Sequence, residues 1–155
     1  SSTLVTDITT VYVPANAADR PSFISSFMSM PFLSSMSSRP FLLTGDFNMP
    51  FHSSSNNSIP YATPLVEWIS IHFNNCFPDG KSTFTRGDYR STIDYLYAHI
   101  SMSTRITNGK VHYVPSSWTD HCLLTIDLLP VKASIGPGIW RFNPTLLLDD
   151  HFVQT

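Results

Sequence analysis

Charge is scarce in this sequence. Charged residues make up 13% of the 155 positions, and the net charge is −2. Proteins that grip a nucleic-acid backbone over many phosphates carry a basic excess. A stand-alone, charge-driven nucleic-acid binder is therefore disfavoured. A small metal site is not, because there the ion supplies the positive charge. Cysteine is equally sparse. Cys76 and Cys122 stand far apart and outside any CxxC pattern, which argues against a disulfide framework or a zinc site and fits a reduced, intracellular compartment. No apolar run approaches the ~20 residues that span a membrane, so no membrane partner is expected. The chain starts Ser1-Ser2-Thr3-Leu4, with neither Met nor a signal-peptide pattern. It is expected to begin inside something longer.

What is present suits a globular domain. Hydrophobic residues reach 42% and aromatics 13%, enough for one real core. Asp7 to Val13 is β-branched and aromatic, a strand stopped by Pro14. Asp19 is placed to cap a helix over Pro21 to Met30, with the proline just inside it. Ser34 to Pro40 is expected as a polar connector and Phe41 to Gly45 as a central strand. His52 to Ser58 is loop, and Thr63-Pro64 opens an amphipathic helix through Leu65, Trp68, Ile69 and Phe73. Pro78-Asp79-Gly80 is a turn. Thr83 to Thr85 and Ser91 to Ile100 are expected to pair, Asn108-Gly109 to turn a hairpin near Lys110 to Val114, and Cys122 to Leu129 to form the last strand. Pro130 to Gly138 is a linker, and a short helix is expected near Thr145 to Asp149. Strands and helices interleave, which suits packed sheets with helices outside.

Three acidic motifs share one context. Asp46 follows the apolar run FLLTG, Asp94 sits within Ile93-Asp94-Tyr95-Leu96, and Asp120-His121 precede CLLTIDLL. Each puts an acid at or near the end of a buried strand, where a carboxylate is costly without a cation or donor. Carboxylates converging at strand ends suit Mg²⁺, a hard ion that prefers oxygen ligands and phosphate. A neighbouring histidine suits charge stabilisation or proton movement, and the amide of Asn48 can donate to a phosphate oxygen.

In their order, GDFN at 45–48, STIDYLYAH at 91–99 and TDH at 119–121 resemble successive signatures of the endonuclease/exonuclease/phosphatase superfamily. VYVP at 11–14 is similar to the earlier motif in which a tyrosine faces the phosphate. The match covers about Asp7 to Leu129. The segment Gly136 to Asn143, with Leu146-Leu147 after it, resembles the stretch just downstream of the endonuclease domain in LINE-type (non-LTR) retrotransposon polyproteins. The resemblance implies an α/β fold, a four-layer α-β-β-α sandwich (DNase I-like), present as its carboxyl-terminal part over 1–130. Residues 131–155 are then linker and tail leading toward a downstream reverse transcriptase region.

The resemblance also implies roles. Asp46 would orient and deprotonate the attacking water, and Asn48 would hold the scissile phosphate. His121 would stabilise the pentacovalent phosphorus, with Asp94 orienting it, and Tyr12 would donate to a phosphate oxygen. Asp120, together with Asp46, would position the metal, Mg²⁺ or alternatively Mn²⁺. The substrate would be DNA, and a working enzyme would be nuclear.

Two departures stand out. Thr119 replaces the family's serine before Asp-His. The family's early Asn and metal-binding Glu precede the VYVP-like motif, yet only eleven residues precede Tyr12 here and none is Glu. The expectation is a DNA-nicking endonuclease module that is inactive as these 155 residues alone. The alternatives are a non-catalytic remnant of a degraded element or a phosphatase of the same superfamily. Blander local readings also exist. Asp46 could cap a turn, Asp94 could be a paired structural acid, Asp120-His121 could simply begin a strand, and Tyr12 could pack with a wet hydroxyl. His52, His72, His99, His112 and His151 are expected to be surface, loop or core residues, and Arg86 and Arg90 either rim phosphate contacts or solvated.

Overall fold

A computed structural model describes residues 6–36, 39–51, 59–77 and 81–129. Its centre is a four-stranded sheet in the order β1-β2-β6-β3. Strand β1 is Asp7–Tyr12, β2 is Phe41–Asp46, β3 is Phe73–Asn75 and β6 is Asp94–His99. β1 and β2 are parallel, and β6 runs antiparallel to both β2 and β3. A parallel pair needs a crossover, and helices α1 (Arg20–Met28) and α2 (Phe32–Met36) lie in that connection. Helix α3 (Thr63–His72) leads into β3.

Alternation along the strands sorts the two faces. Val11, Phe41, Leu43, Tyr95 and Tyr97 join one core with Ile24, Phe27, Leu33, Leu65 and Ile69 of the helices. Leu43 is fully buried there, which for a leucine is worth about 1.5–3 kcal/mol. The opposite face contributes Leu42 and Ala98 to a second cluster with Met102, against which Ile106 and Ile126 pack. These last two belong to a ribbon of β7 (Ile106–His112) and β8 (Leu123–Leu128), antiparallel to each other. A small hairpin, β4 (Phe84–Arg86) with β5 (Tyr89–Ser91), completes the elements. The described residues thus form helices, sheet and ribbon, three layers of the expected α-β-β-α order, with a parallel pair, β1 and β2, at one side of the sheet.

Several local expectations change. Within the polar connector, Leu33 and Met36 lie three apart and are buried on one side of α2. The hydroxyl of Ser34 bonds back to Pro31 O at 2.8 Å and that of Ser35 to Phe32 O at 2.7 Å, so the serines satisfy themselves within a helix. Asp19 occupies the cap position of α1 but makes no side-chain bond to it; its Oδ2 accepts from Asn16 Nδ2 at 3.0 Å. Phe73 leaves the helix and becomes extended, buried in β3. The run Ser91 to Ile100 is two strands, because Tyr89–Ser91 pairs with β4 while Asp94–His99 joins the main sheet.

Asn108-Gly109 does not turn the chain. β7 runs through it with a pairing irregularity between Thr107 and Lys110, and the partner is β8 rather than Lys110 to Val114. Asn108 takes φ 54°, and its Nδ2 donates to Asp127 Oδ2 at 2.6 Å. A Cβ on Gly109 would lie 1.9 Å from the carbonyl oxygen of Cys76. The glycine therefore serves close approach between ribbon and sheet. The loop at 52–58, the turn at 78–80 and the linker and tail from 130 onward lie outside the described residues.

Candidate active site

The site begins with register. Tyr12 of β1 pairs with Asp46 of β2, and Asp46 pairs with Asp94 of β6. Three residues remote in sequence therefore stand side by side across three neighbouring strands. Val11 and Tyr95 belong to the helix-side core, so alternation turns Tyr12 and Asp94 to the opposite face. Tyr12 is 65% exposed, leaving its hydroxyl open to a ligand.

The sequence Asp46-Phe47-Asn48 folds around its middle residue. Phe47 is fully buried and packs edge-on to Phe51, Tyr95 and Tyr97. Its N–H donates to Ile93 O at 2.8 Å. With the ring inserted, the flanking polar residues stay at the surface of the sheet end. Asn48 takes φ 51°; its N–H donates to Asp46 Oδ1 at 2.8 Å and its Nδ2 to Asp46 Oδ2 at 3.2 Å. Nδ2 also donates to Val13 O at 2.8 Å. The turn-capping reading and the site reading of GDFN are thus one structure: the turn orients the acid. Burial raises the pKa of Asp46. The Asn48 N–H opposes that shift, the charge of Asp94 adds to it, and His121 and Arg20 oppose it further.

Arg20 anchors the adjoining loop. Its Nε donates to Pro14 O at 3.0 Å and its Nη2 to Ala15 O at 2.6 Å. Tyr95 holds the other side: its hydroxyl donates to Thr92 O at 2.9 Å and accepts from Phe51 N at 2.8 Å. Burial pushes that phenol up to about 12, so it remains a neutral strut.

His121 comes from the start of the ribbon. Its Nδ1 lies 3.0 Å from each oxygen of Asp94. This fixes the ring and leaves Nε2 as the working nitrogen. Backbone pairing with β4 carries it there: Thr85 N donates to Asp120 O at 2.8 Å, and Cys122 N to Thr83 O at 2.7 Å. Phe84 packs its ring edge-on to His121 at 5.1 Å. Thr119 Oγ1 accepts from His121 N at 3.1 Å, a role open to any hydroxyl at that position. Ligand atoms of Asp46, Asp94 and His121 all lie within 4.8 Å of one another.

Asp120 sits beside this group and faces outward. Its Oδ2 accepts from Arg86 Nε at 2.9 Å and from Nη2 at 2.5 Å, while Oδ1 lies 3.7 Å from His121 Nε2. The Arg86 guanidinium holds its carboxyl below the usual range. Arg86, read from sequence as a rim or solvated residue, is 76% exposed and is also this acid's partner. Among the described histidines, His99 is buried with its Nδ1 2.8 Å from Ser101 Oγ, and His112 Nε2 lies 2.9 Å from Thr125 Oγ1. Neither belongs to the acid-histidine group.

Thr83 carries no motif that would mark it in the sequence. It is 2% exposed, and its Oγ1 accepts from both Ile93 N at 3.1 Å and Asp94 N at 3.0 Å. Its carbonyl also takes the Cys122 N–H. One residue therefore ties down the backbone of both halves of the Asp94–His121 pair. No local pattern announces this, because all its partners are distant.

No family model matches the sequence, and no curated protein matches it. Solved structures do. The endonuclease domain of TRAS1, a telomere-specific non-LTR retrotransposon, aligns with TM-score 0.56 and 19% identity over 76% of this chain and 54% of that one. The catalytic domain of Xenopus laevis APE2 aligns with TM-score 0.50 and 13% identity over 81% of this chain and 52% of that one. The chain spans about half the length of each. At such identities the likeness is one of fold: this chain has a DNase I-like α/β fold.

Proposed function

We propose that the chain carries the catalytic acids and histidine of a metal-dependent DNA endonuclease of retrotransposon type. The observation that carries this reading is the convergence of Asp46, Asp94 and His121, from three distant stretches, within 4.8 Å. The TRAS1 domain supports the retrotransposon assignment by fold, as does the Gly136 to Asn143 segment by resemblance. On this reading the protein works in the nucleus, with a reverse transcriptase region downstream of it.

The donor set fits a hard divalent ion. Asp46 and Asp94 are carboxylates that are register partners, and the charge of Asp94 raises the cost of charging Asp46. A divalent cation removes that repulsion, and all-oxygen donors favour Mg²⁺, with Mn²⁺ as substitute. Asp46 and Asp94 would hold it, with Asp120 adjoining. Bound there, the ion supplies charge neutralisation at the phosphate and at the leaving 3′-oxygen.

The protein groups do the rest. Asp46, oriented through both oxygens by Asn48, takes the proton of the attacking water. His121 presents Nε2 to the phosphoryl oxygens while Asp94 fixes its tilt. Tyr12 offers an exposed hydroxyl beside them. Asn48 already donates to Val13 O and Asp46, so holding a phosphate oxygen requires it to release one of these bonds. The test is conversion of supercoiled plasmid to open circles by the 155-residue chain in Mg²⁺ or Mn²⁺, beside a phosphate-release assay. Sequence alone led to the expectation of inactivity for these 155 residues; because Asp46, Asp94 and His121 are assembled within them, this reading expects instead metal-dependent nicking that Asp46→Ala abolishes. Equal nicking by the two proteins, or phosphate release without nicking, overturns the reading.

A further inference from the structure

A second feature adjoins the acid-histidine group on its outer side. The turn of the β4–β5 hairpin and the segment Ser116 to Thr119 enclose an open recess of about 420 Å³, lined by Thr85, Arg86, Gly87, Trp118, Thr119 and Asp120. Trp118 is 82% exposed, more than any other large hydrophobic side chain described. Exposure of a single apolar residue is ordinary and carries nothing alone. Three relationships give it meaning.

The first is placement. Asp120 is shared between recess and site: Oδ2 holds Arg86, and Oδ1 lies 3.7 Å from His121 Nε2. Whatever fills the recess therefore lies next to a group bound at His121. The second is rigidity. Trp118 N donates to Pro115 O at 2.9 Å, so the indole is carried on a hydrogen-bonded turn. The hairpin side is pinned by Arg86, which bonds Asp120 and lies over the Phe84 ring at 5.3 Å. A Cβ on Gly87 would meet nothing within 4 Å, so the rim there is open.

The third is charge. The positive charge of Arg86 is balanced by Asp120, so the recess offers little to a phosphate. It offers a flat aromatic face and a guanidinium that spends two N–H groups on Asp120 and keeps the others for an acceptor. A flat, uncharged ring with acceptor atoms at its edge matches those features. With a net charge of −2, the chain also lacks general attraction for a phosphate backbone and gains most from contacts of another kind.

We propose that this recess receives an unstacked nucleobase of the DNA strand, adjacent to the phosphate at His121, with its ring on Trp118 and its edge toward Arg86. The inference rests on the nuclease reading for its choice of ligand. It narrows the substrate to DNA that can release a base at the cut, such as a duplex with an unpaired or weakly stacked nucleotide.

The test measures binding apart from cleavage. In EDTA, the full chain is titrated with a short duplex containing one unpaired thymine and with the same duplex fully paired, by anisotropy and by indole fluorescence. Stacking predicts quenching by the first duplex. It also predicts that Trp118→Ala weakens binding of that duplex about 5- to 150-fold, as loss of a base–aromatic stack does, while Trp118→Phe recovers most of the affinity. The paired duplex should distinguish the variants little. Unchanged affinity in Trp118→Ala, or no binding of the unpaired duplex by wild type, overturns the proposal. The two readings fail separately. Asp46-dependent nicking with Trp118-independent binding removes only the base site. Trp118-dependent binding with no nicking in any metal removes only the nuclease.

Discussion

The imidazole of His121 meets both oxygens of Asp94 at the same distance, 3.0 Å. Such a symmetric contact holds the ring in one plane and keeps its second nitrogen, Nε2, 3.7 Å from Asp120 Oδ1. Asp94→Asn keeps the size of the side chain and removes the anion. Nicking by this variant should fall by about 10²–10⁴-fold, the range of a positioned acid–base group, while thermal melting moves little. A loss of folding instead would make Asp94 a structural acid.

Asp46 sets the pH response. Burial raises its carboxyl above the ordinary 3.8, so the folded chain binds its proton more tightly than the unfolded chain does. Stability from this group is full below 3.8 and is lost as pH rises through the raised value. Asp46→Asn should therefore stabilise the metal-free protein at neutral pH and lose that advantage in acid. Mg²⁺ should raise the melting temperature of wild type and leave Asp46→Asn unmoved. Calorimetry at several pH values reads both effects; a variant destabilised at every pH would contradict the assignment. Nicking should rise with pH as Asp46 deprotonates.

Thr83 separates hydroxyl from shape. Thr83→Val strands the buried N–H of Ile93 and the partly buried N–H of Asp94, which costs about 1–3 kcal/mol. Thr83→Ser keeps the oxygen and should recover most of this in urea unfolding. The hydrogen-bonded Nδ1 proton of His121 in NMR spectra should broaden in the valine variant and return with serine. Equal spectra for both would limit Thr83 to packing.

Gly45 has φ 145°, and a Cβ there would lie 1.8 Å from Val11 O. It directly precedes Asp46 in a strand paired with β1. Gly45→Ala must push β1 away or unpair it, with a loss on the order of 2–4 kcal/mol, and nicking should fall even at temperatures where the variant stays folded. Gly87→Ala, with open space around it, is the control; its cost is confined to backbone strain at φ 60°, about 1 kcal/mol.

Sequence alone determined the pieces that depend on neighbours along the chain. β-Branched and aromatic residues and the stop at Pro14 marked β1, the apolar run FLLTG marked β2, and acids at strand ends marked Asp46, Asp94 and Asp120-His121. Pairing across distance obeyed other rules. Asn108-Gly109 looks like a turn until the carbonyl of Cys76 occupies the space a side chain would need. Ser91 and Asp94 look like one strand until each finds a different partner. Arg86 gives no local sign of its partner until the hairpin sets it against Asp120, and Thr83 looks like any strand residue until two separate backbone segments, at 91–94 and at Cys122, meet on it. Local pattern specifies which face a residue takes, because alternation is built into the backbone; which residue stands opposite is fixed by register and hydrogen bonds between segments far apart, and these exist only once the chain has folded.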